Sequence, residues 1–484
     1  MISLKNPSLF LQNAIIHGER VSSKETLTIV NPATGETVGM VPYLGAIETR
    51  KAIDSTSLAL PFWKKLPAKQ RANILKEWYR LILENSDDLA SIITQEQGKP
   101  LAESKAEILY AASYVEWFSE EAKRVYGDII PSHRVDTKIL VLKEPVGVVA
   151  TITPWNFPAA MLARKVAPAF AVGCTVVSKP AELTPFTALA LYALAEKAGL
   201  PPGVWNLVMG DYTAIGKELT SNPIVKKISF TGSTQTGAKL YAQSADSIKK
   251  LSLEMGGNAP FLVFADADLD EAVKGAMLSK YRNSGQTCVC VNRFYCHETI
   301  ANEFALKLAE KVSALKLGNG LEEGVTQGPL ISKSALEKVQ THIEDAISKG
   351  AKLIHGGKPS SLGKTFFEPT VIMGLNSSMK ISVEETFGPV SAIQTFSTDE
   401  EALQLANSTP YGLAGYFYTK DIARIFKIAE GLEVGMVGIN EGIISSEQVP
   451  FGGVKFSGMG REGSKYGIDD YLNIKYLCLG GMNT

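Results

Sequence analysis

The sequence has few cysteines and no excess of charge of either sign. Five cysteines among 484 residues are too sparse to form a disulfide framework. Because 49 basic side chains face 50 acidic ones, no positive surplus is available for nucleic acid or for an anionic membrane surface. These absences exclude a disulfide-stapled miniprotein. They predict a protein of a reducing compartment whose partners are small molecules rather than nucleic acids.

Long apolar runs are also missing. No stretch reaches the roughly 18 apolar residues that a membrane-spanning helix needs. The richest stretch, around 146–177, is interrupted by Pro154, Asn156, Pro158, Arg164 and Lys165. The first residues lack the basic region and apolar segment of a signal peptide. We therefore expect no membrane association and a cytoplasmic location.

The pattern that is present is typical of an α/β protein. A length of 484 residues with 45% hydrophobic side chains suggests two to four domains. Apolar positions recur at helical spacing through 48–125, and from Val146 strands alternate with helices. This alternation predicts βαβ units and a doubly wound parallel sheet over 143–252, followed by a second α/β series to about residue 455. The C-terminal strand should pair with 124–144 or with another subunit, because an open edge invites pairing.

A glycine-containing turn suggests a nucleotide site. Phe230-Thr-Gly-Ser-Thr-Gln-Thr-Gly237 lies where a strand meets a helix, so that free N–H groups could bind a phosphate. The segment is neither GxGxxG nor a P-loop, and a simple tight turn is the alternative. Lys179 and Glu182 follow a neighbouring strand, where an acidic side chain commonly binds the ribose hydroxyls of a dinucleotide. The combination favours dinucleotide binding.

Two further residues could carry catalysis. Cys288 lies in a polar, glycine-containing segment before an apolar strand, which is a suitable place for a nucleophile. Glu254 ends an apolar strand beside two glycines, where partial desolvation would raise its pKa and suit it to act as a general base. The alternatives are a buried, inert cysteine and a solvated glutamate at a strand end.

A zinc site was the other interpretation of the cysteines. Cys288, Cys290, Cys296 and His297 form a C-x-C-x5-C-H cluster. Zinc ligand pairs are usually separated by two to four residues, whereas one residue separates the first pair here. We therefore predict no metal site.

Seven motifs in order resemble the aldehyde dehydrogenase superfamily, and the resemblance covers nearly the whole chain. Met255 stands where leucine is more usual, a swap that conserves volume. The motifs are Pro154-Trp-Asn-Phe-Pro158, Lys179-Pro-Ala-Glu182, Phe230-Thr-Gly-Ser233, Leu253-Glu-Met-Gly-Gly257, Gly285-Gln-Thr-Cys288, Glu385-Thr-Phe-Gly-Pro389 and Pro450-Phe-Gly-Gly453.

The resemblance implies a catalytic mechanism. Cys288 would attack the aldehyde carbon to form a thiohemiacetal, and Asn156 with the Cys288 backbone N–H would hold the oxyanion. Such preorganised donors are typically worth about 3–4 kcal/mol. Hydride would pass to the nicotinamide, and Glu254 would activate the water that hydrolyses the remaining thioester.

The resemblance also assigns the cofactor residues and the domains. NAD would be bound by Trp155, Lys179, Glu182, Gly232, Ser233, Glu385 and Phe387. The NAD-binding domain would comprise 1–123 and 145–252, and the catalytic domain 253–455. The small β element that usually mediates oligomerisation would comprise 124–144 and 468–484, giving a homodimer or homotetramer.

Two arginines predict the substrate class. Arg164 follows the oxyanion asparagine and Arg282 precedes Cys288 by six residues. An arginine fork recognises a carboxylate, although ordinary surface ion pairs are the alternative. The surrounding segments Met161–Lys165, Tyr281–Asn283, Cys288–Cys290, Gly442–Ser446 and Gly460–Asp469 resemble succinate-semialdehyde dehydrogenases.

By this resemblance Arg164, Arg282 and Ser445 would bind the distal carboxylate of succinic semialdehyde, an aldehyde formed in 4-aminobutyrate degradation. A glutarate-semialdehyde dehydrogenase is the nearest alternative, since a methylene is worth only about 1–3 kcal/mol. A non-catalytic dinucleotide-binding protein of the same fold is an alternative of another class.

Two finer expectations concern regulation and cofactor choice. Cys290 could form a redox switch with Cys288, because residues i and i+2 of a strand face the same side, although a local bend would be required. A small buried hydrophobic role is the alternative for Cys290. Glu182 should favour NAD, since NADP-preferring relatives carry a small residue such as serine there and a carboxylate would repel a 2′-phosphate. NADP use is expected to be weaker.

Overall fold

The computed structural model describes residues 4–481, which form two large sheets flanked by helices, a three-stranded sheet and two two-stranded sheets. No helix in that range is both long and apolar enough to cross a membrane. The helices are α1 (Ala46–Lys65), α2 (Ala68–Glu84), α3 (Ser86–Gln97), α4 (Leu101–Glu121), α5 (Pro158–Val172), α6 (Pro185–Lys197), α7 (Tyr212–Ser221), α8 (Thr234–Ser244), α9 (Leu269–Lys280), α10 (Ala301–Ser313), α11 (Lys333–Ser348), α12 (Lys380–Val383), α13 (Asp399–Asn407), α14 (Ile422–Gly431) and α15 (Tyr466–Asp469).

The strands alternate with these helices over most of the chain, as the pattern predicts. They are β1 (Ala14–Ile16), β2 (Glu19–Val21), β3 (Thr26–Val30), β4 (Thr37–Pro42), β5 (Asp128–Ile130), β6 (Lys138–Pro145), β7 (Val148–Ile152), β8 (Thr175–Lys179), β9 (Trp205–Leu207), β10 (Val225–Thr231), β11 (Lys250–Glu254), β12 (Ala259–Val263), β13 (Val291–His297), β14 (Lys352–His355), β15 (Thr370–Met373), β16 (Val390–Phe396), β17 (Tyr411–Gly412), β18 (Ala414–Tyr418), β19 (Met436–Ile439), β20 (Val454–Lys455), β21 (Gly458–Met459) and β22 (Leu472–Leu479).

The first large sheet has the strand order β2-β1-β9-β8-β7-β10-β11-β21. Its centre, from β9 to β11, is parallel, and antiparallel pairs close both edges. Every residue of β7 and β8 is buried, as expected for strands covered on both faces by helices. The parallel α/β sheet predicted over 143–252 is therefore confirmed.

The second large sheet has the order β14-β15-β16-β13-β12-β18-β19. It is parallel except for the β14–β15 pair at one edge. Its strands all come from the region where we expected a second α/β series, which confirms that expectation. The division of the chain into the three domains proposed above stays a prediction.

The C-terminal strand β22 pairs antiparallel with β6, from Leu472 opposite Pro145 to Leu479 opposite Lys138. Strand β5 completes this three-stranded sheet on the other side of β6. The partner expected from the sequence, 124–144, is thus the one that the structure shows. Residues 1–3 and 482–484 of the proposed ranges lie outside the described residues.

One expectation about secondary structure is wrong. Cys288 and Cys290 do not lie on a strand, because β13 begins only at Val291. They lie in a tight turn in which the Cys290 N–H donates to the Thr287 carbonyl at 3.0 Å. The apolar character of this segment comes from burial against the core rather than from sheet pairing, and apolarity alone does not distinguish the two.

Candidate active site

A cleft of about 600 Å³ opens beside the carboxyl ends of β7, β10 and β11. This is the position at which parallel α/β sheets bind ligands. Several residues singled out in the sequence line the cleft: Trp155, Asn156, Gly232, Ser233, Cys288, Glu385 and Phe387. Residues far apart in the chain are therefore brought together at one site.

The turn that presents Cys288 has an unusual backbone. Asn283, Ser284 and Gly285 have φ values of 51°, 55° and 73°, and only glycine adopts this left-handed region without strain. Gly285 is also tightly enclosed, because a Cβ there would lie 2.2 Å from the Gly388 carbonyl oxygen. Buried partners hold the turn: the Asn283 N–H donates to Glu103 Oε2 at 2.7 Å. Cys288 is thus presented by a rigid, strained turn.

Asn156 is joined directly to this turn. Its Nδ2 donates to the Gln286 carbonyl at 3.0 Å, which places the amide next to the Thr287–Cys288 segment. The Asn156 carbonyl accepts from Lys99 Nζ at 2.6 Å and from Asn283 Nδ2 at 3.0 Å. A donor held from several sides costs little reorganisation when an oxyanion forms, which suits Asn156 to that role.

Lys99 was not identified from the sequence. It forms a fully buried ion pair with Glu107, with Nζ and Oε2 2.6 Å apart, and Glu107 also accepts from the Ala159 N–H at the start of α5 at 2.8 Å. The pair therefore fixes Asn156 and the first turn of the following helix. Neither residue lies in a recognisable motif, since both contacts join segments about fifty residues apart.

Burial controls the proton affinity of Cys288. Removal from water raises the pKa of its thiol to about 11; the nearby Arg164 opposes this shift and Glu254 adds to it. The thiol is therefore neutral at pH 7 in the free protein. Reaction requires that a base or a change in charge on ligand binding removes its proton.

Glu254 lies at the end of β11 and is buried, with no hydrogen-bond partner for either carboxylate oxygen among residues 4–481. Burial and the neighbouring Glu462 raise its pKa well above the usual range, against the opposing effect of Arg164. A Cβ on Gly452 would lie 2.9 Å from Glu254 Oε1, so only a glycine leaves space beside the carboxylate. Unpartnered oxygens and a raised pKa are the properties of a general base awaiting its water.

A narrow cavity of about 30 Å³, here called the arginine cavity, is lined by Cys288, both predicted arginines and Ser445. Its other lining residues, which sequence reasoning missed, are Tyr110, Phe157, Met161, Thr287, Val289 and Phe451. Most of these side chains are aromatic or apolar and come from separate elements. The cavity thus resembles a hydrophobic passage that ends in positive charge.

The two arginines retain unused hydrogen-bond donors. Arg164 is fully buried, pairs with Glu462 and stacks 4.1 Å from the Phe451 ring, yet its Nη1 has no acceptor within the described chain. Arg282 lies 5.4 Å from the Phe157 ring, and its Nε likewise has no acceptor there. Buried donors without partners are costly. An anionic ligand that accepted from both would remove this cost.

The partner of Arg164 was also missed. Glu462 is buried and pairs with both Arg164 and Lys165, and these two cations keep its pKa below the usual value despite burial. Arg164 is thus partly neutralised, whereas Arg282 has no ion pair with a described carboxylate. Arg282 is therefore the less neutralised of the two cations in the arginine cavity.

The part of the cleft lined by Trp155, Glu385 and Phe387 fits the nicotinamide half of a dinucleotide. Phe387 adopts a left-handed backbone with φ 55° and packs edge-on against Trp155, with ring centroids 5.7 Å apart. Glu385 projects into the same space, where Oε1 accepts from the Gly257 N–H at 3.2 Å and burial raises its pKa to about 7. An aromatic pair beside a carboxylate matches the planar ring and hydroxyls of a nicotinamide riboside.

The part of the cleft at the N-terminus of α8 fits the pyrophosphate and the second ribose of a dinucleotide. Ser233 caps α8, with its side chain accepting from the Thr236 N–H at 3.2 Å, and the helix N-terminus favours phosphate. Gly232 must be glycine, because a Cβ would lie 2.5 Å from the Phe230 ring. Lys179 and Glu182 pair with each other at the end of β8, and the neighbouring Leu183 lines the cleft.

Cys290 points away from the cleft. Its Sγ donates to the carbonyls of Ser279 and Lys280 at 3.0 and 3.1 Å, at the end of α9. Burial raises the pKa of this thiol above its usual value. Both cysteines are free thiols in the structure. A disulfide between them would require Cys290 to leave these carbonyls.

The fold and this site define an aldehyde dehydrogenase. The model of the aldehyde dehydrogenase family matches residues 20–477, and the chain belongs to that family.

Two curated relatives and one crystal structure illustrate how similar the chain is to known semialdehyde dehydrogenases. A glutarate-semialdehyde dehydrogenase of Pseudomonas aeruginosa is 57% identical over 99% of this chain and 100% of its own. An NADP-dependent succinate-semialdehyde dehydrogenase of Escherichia coli is 55% identical, with the same coverage of both chains. The crystal structure of a succinate-semialdehyde dehydrogenase from Burkholderia pseudomallei is 58% identical, with a TM-score of 0.98 over 99% of this chain and 100% of that one.

Proposed function

We propose that the protein oxidises succinic semialdehyde to succinate with NAD, as part of 4-aminobutyrate degradation. The observation that carries the proposal is the arginine cavity, which joins Cys288 to buried arginine donors without partners. An uncharged aldehyde would leave these donors unsatisfied, whereas a short chain with a distal carboxylate reaches them. The sparse cysteines fit a reducing, cytoplasmic setting.

The residues would act in sequence around the substrate carbonyl. The Cys288 thiol, whose pKa is raised by burial, first loses its proton to solvent water. Its Sγ then attacks the aldehyde carbon, and Asn156 Nδ2 with the Cys288 N–H donates to the oxygen that becomes negative. Trp155, Glu385 and Phe387 would orient the nicotinamide half of NAD, and Ser233 the pyrophosphate. When bound, NAD supplies the oxidising equivalent by accepting a hydride. Glu254 then removes a proton from the water that attacks the thioester carbon on Cys288, after which the C–S bond breaks, succinate leaves and the Cys288 thiolate is regenerated.

Glutaric semialdehyde is the second candidate substrate, favoured by the relative of that name with 57% identity. It carries the same terminal groups as succinic semialdehyde and one more methylene. A methylene changes binding by only about 1–3 kcal/mol in a hydrophobic pocket. We therefore expect measurable turnover of the five-carbon substrate at a lower kcat/KM.

Substitution of Arg282 by alanine tests how the carboxylate is recognised. We expect Arg282→Ala to cost about 2–5 kcal/mol of transition-state binding for succinic semialdehyde, because one partner of a buried charged pair is lost. That corresponds to a fall in kcat/KM of roughly 30- to 5,000-fold. Butanal, which carries a methyl group in place of the carboxylate, should lose far less.

Steady-state kinetics of both substrates with the same enzyme preparation measure this difference. Arg50→Ala, which removes a largely exposed arginine paired with Glu218, is the control for loss of an arginine as such. Equal losses on succinic semialdehyde and butanal would contradict carboxylate recognition by Arg282.

Cofactor preference should depend on Glu182. Its carboxylate can accept hydrogen bonds from the ribose 2′-hydroxyl of NAD, and it already pairs with Lys179, the cation that a 2′-phosphate would need. At about 4 Å and an effective dielectric constant near 20, each like-charge pair costs roughly 4 kcal/mol before screening. Because the Glu182 side chain is 33% exposed, solvent reduces this cost.

We therefore expect kcat/KM to be higher with NAD than with NADP, and Glu182→Ser to narrow or reverse the ratio. The Escherichia coli relative is named as NADP-dependent, so the ratio has to be measured for this enzyme itself. Steady-state kinetics with NAD and with NADP, each at saturating aldehyde, measure the ratio of the two kcat/KM values. A wild-type enzyme that prefers NADP would refute the role of Glu182 and leave the catalytic residues unaffected.

Cys290 is proposed as the second thiol of a redox switch. Peroxide should inactivate the enzyme, and dithiothreitol should restore activity, because a reversible disulfide with Cys288 would block the nucleophile. Cys290→Ala should make the inactivation irreversible by dithiothreitol. Inactivation of the wild-type enzyme that dithiothreitol fails to reverse, or inactivation that persists unchanged in Cys290→Ala, would exclude the switch.

We further propose that the three-stranded sheet mediates homo-oligomerisation, as a dimer or tetramer. Its strands expose large apolar side chains, such as Ile129 at 80% and Ile474 at 74% of their surface. Exposed apolar surface on an open sheet is typical of an interface.

A further inference from the structure

His342 is a buried residue that neither the motifs nor the mechanism use. It lies on α11 with 2% of its surface exposed, and both ring nitrogens have partners. Nδ1 lies 3.1 Å from Thr386 Oγ1, and Nε2 lies 3.1 Å from Glu384 Oε2. These partners flank Glu385 on either side.

The segment that His342 contacts, Glu384–Gly388, has to hold a strained shape. Phe387 has a φ of 55°, a left-handed conformation that is strained for a residue other than glycine. Such a backbone persists only when its surroundings hold it in place. Thr386 is buried and lines the cleft together with Glu385 and Phe387.

Helix α11 is packed directly beneath this segment. Val339 leaves so little room that a Cβ on Gly388 would lie 2.4 Å from its Cγ2. Lys338 Nζ donates to the Glu385 carbonyl. Lys338, Val339 and His342 occupy one face of the helix, since residues three and four apart are neighbours there. The Glu384–Gly388 segment is thus held by the Lys338 hydrogen bond, by packing against Val339 and by the hydrogen bonds of the His342 ring.

The hydrogen bonds define the tautomer of His342. A carboxylate can only accept, so Nε2 carries the proton that is donated to Glu384. Nδ1 is then an acceptor, and the Thr386 hydroxyl donates to it. Burial lowers the pKa of His342, with Glu384 opposing this effect and Lys338 and Lys380 adding to it. The ring is therefore neutral at pH 7, as this arrangement requires.

We propose that His342 is a positioning residue for dinucleotide binding, which fixes the Glu384–Gly388 segment through Thr386 so that Glu385 and Phe387 face the nicotinamide half. The inference rests on the proposed cofactor role of Glu385 and Phe387. The Thr386 contact should dominate, because Thr386 is buried beside the cleft whereas the Glu384 side chain is 54% exposed.

Matched substitutions separate the two contacts. An asparagine side chain places an acceptor near the position of Nδ1, and a glutamine side chain reaches the position of Nε2. His342→Asn should keep the Thr386 contact, His342→Gln should keep only the Glu384 contact, and His342→Leu should lose both. Thr386→Val removes the same hydrogen bond from the other side while keeping the shape of the side chain.

The readout is the dissociation constant for NAD, measured by isothermal titration calorimetry on the full chain. We expect His342→Leu, His342→Gln and Thr386→Val to weaken NAD binding roughly tenfold, the effect of losing one buried hydrogen bond in a site that must stay ordered. His342→Asn should stay within about twofold of the wild type. The KM for the aldehyde should change far less than the KM for NAD.

His297→Leu is the control, because His297 also contacts a threonine hydroxyl, that of Thr299, at 2.9 Å but lies at the end of β13. Wild-type affinity for NAD in both His342→Gln and Thr386→Val, or equal weakening in His297→Leu, would overturn the inference. Glu385→Gln tests separately whether Glu385 binds NAD, the role on which the inference rests. If Glu385→Gln binds NAD normally, the proposed cofactor role is wrong; if it weakens binding while the His342 variants do not, only the positioning role of His342 is wrong.

Discussion

Cys288→Ala is expected to abolish aldehyde oxidation while leaving NAD binding intact. In the proposed mechanism, covalent capture by the thiolate precedes hydride transfer, so that removal of Sγ eliminates the route rather than slowing one step. The side chain lies at the wall of the cleft, and its loss removes no hydrogen bond that holds the strained turn at 283–285. NADH formation measures the activity, and calorimetry measures the affinity for NAD.

Cys296→Ala, at a buried cysteine on β13, is the control for loss of a thiol. Substantial oxidation by Cys288→Ala would show that another nucleophile acts. Retained NAD binding without any turnover by the wild-type enzyme would instead favour a non-catalytic dinucleotide-binding protein.

The same thiol should show a characteristic pH dependence. Since its pKa is raised to about 11 in the free protein, the thiolate fraction grows about tenfold per pH unit below that value. Alkylation of Cys288 by iodoacetamide should accelerate accordingly between pH 7 and 10. A rate that is already constant at pH 7 would contradict the raised pKa.

Glu254→Gln is expected to lower steady-state turnover by about 10²- to 10⁴-fold, the usual contribution of a general base. Acylation of Cys288 should continue, so that a burst of NADH appears before the slow phase. The burst arises because the thioester still forms rapidly, whereas its hydrolysis is slow when no base activates the attacking water. Stopped-flow absorbance measures the burst, and intact-protein mass measures the acyl adduct.

Hydroxylamine, a nucleophile that needs no base, should release the acyl group from Glu254→Gln and restore turnover. Glu368→Gln, at a partly buried glutamate near β15, is the matched control and should behave as wild type. Wild-type turnover by Glu254→Gln would show that the assigned base is wrong. Because burial raises the pKa of Glu254, deacylation in the wild type should also slow as the pH falls through that raised value.

The parts of the site that follow from sequence are those in contiguous motifs. Asn156, Ser233 and Cys288 lie in short segments in which glycine, proline or the end of a strand predicts a turn. All three side chains line one cleft in the structure. The alternation of strands and helices likewise predicts the first large sheet and the pairing of the C-terminal strand.

The residues that were missed act through long-range contacts of single polar side chains. Lys99, Glu107 and Glu462 lie in ordinary helices or loops, and their importance comes from burial against Asn156 or Arg164. His342 similarly occupies an unremarkable position on an amphipathic helix. Local pattern carries no signal for such contacts, because tertiary packing decides which polar residues are buried. The assumption that Cys288 and Cys290 lie on a strand failed for another reason, because apolarity alone does not distinguish a buried turn from a strand.

The most direct test compares succinic semialdehyde with butanal for the wild-type enzyme, with NAD as the cofactor. The two aldehydes have the same chain length and differ in the terminal carboxylate. If buried arginines recognise that carboxylate, kcat/KM should be at least about 30-fold higher for succinic semialdehyde, the lower limit for a buried charged contact. Equal values, or a preference for butanal, would contradict the proposed function.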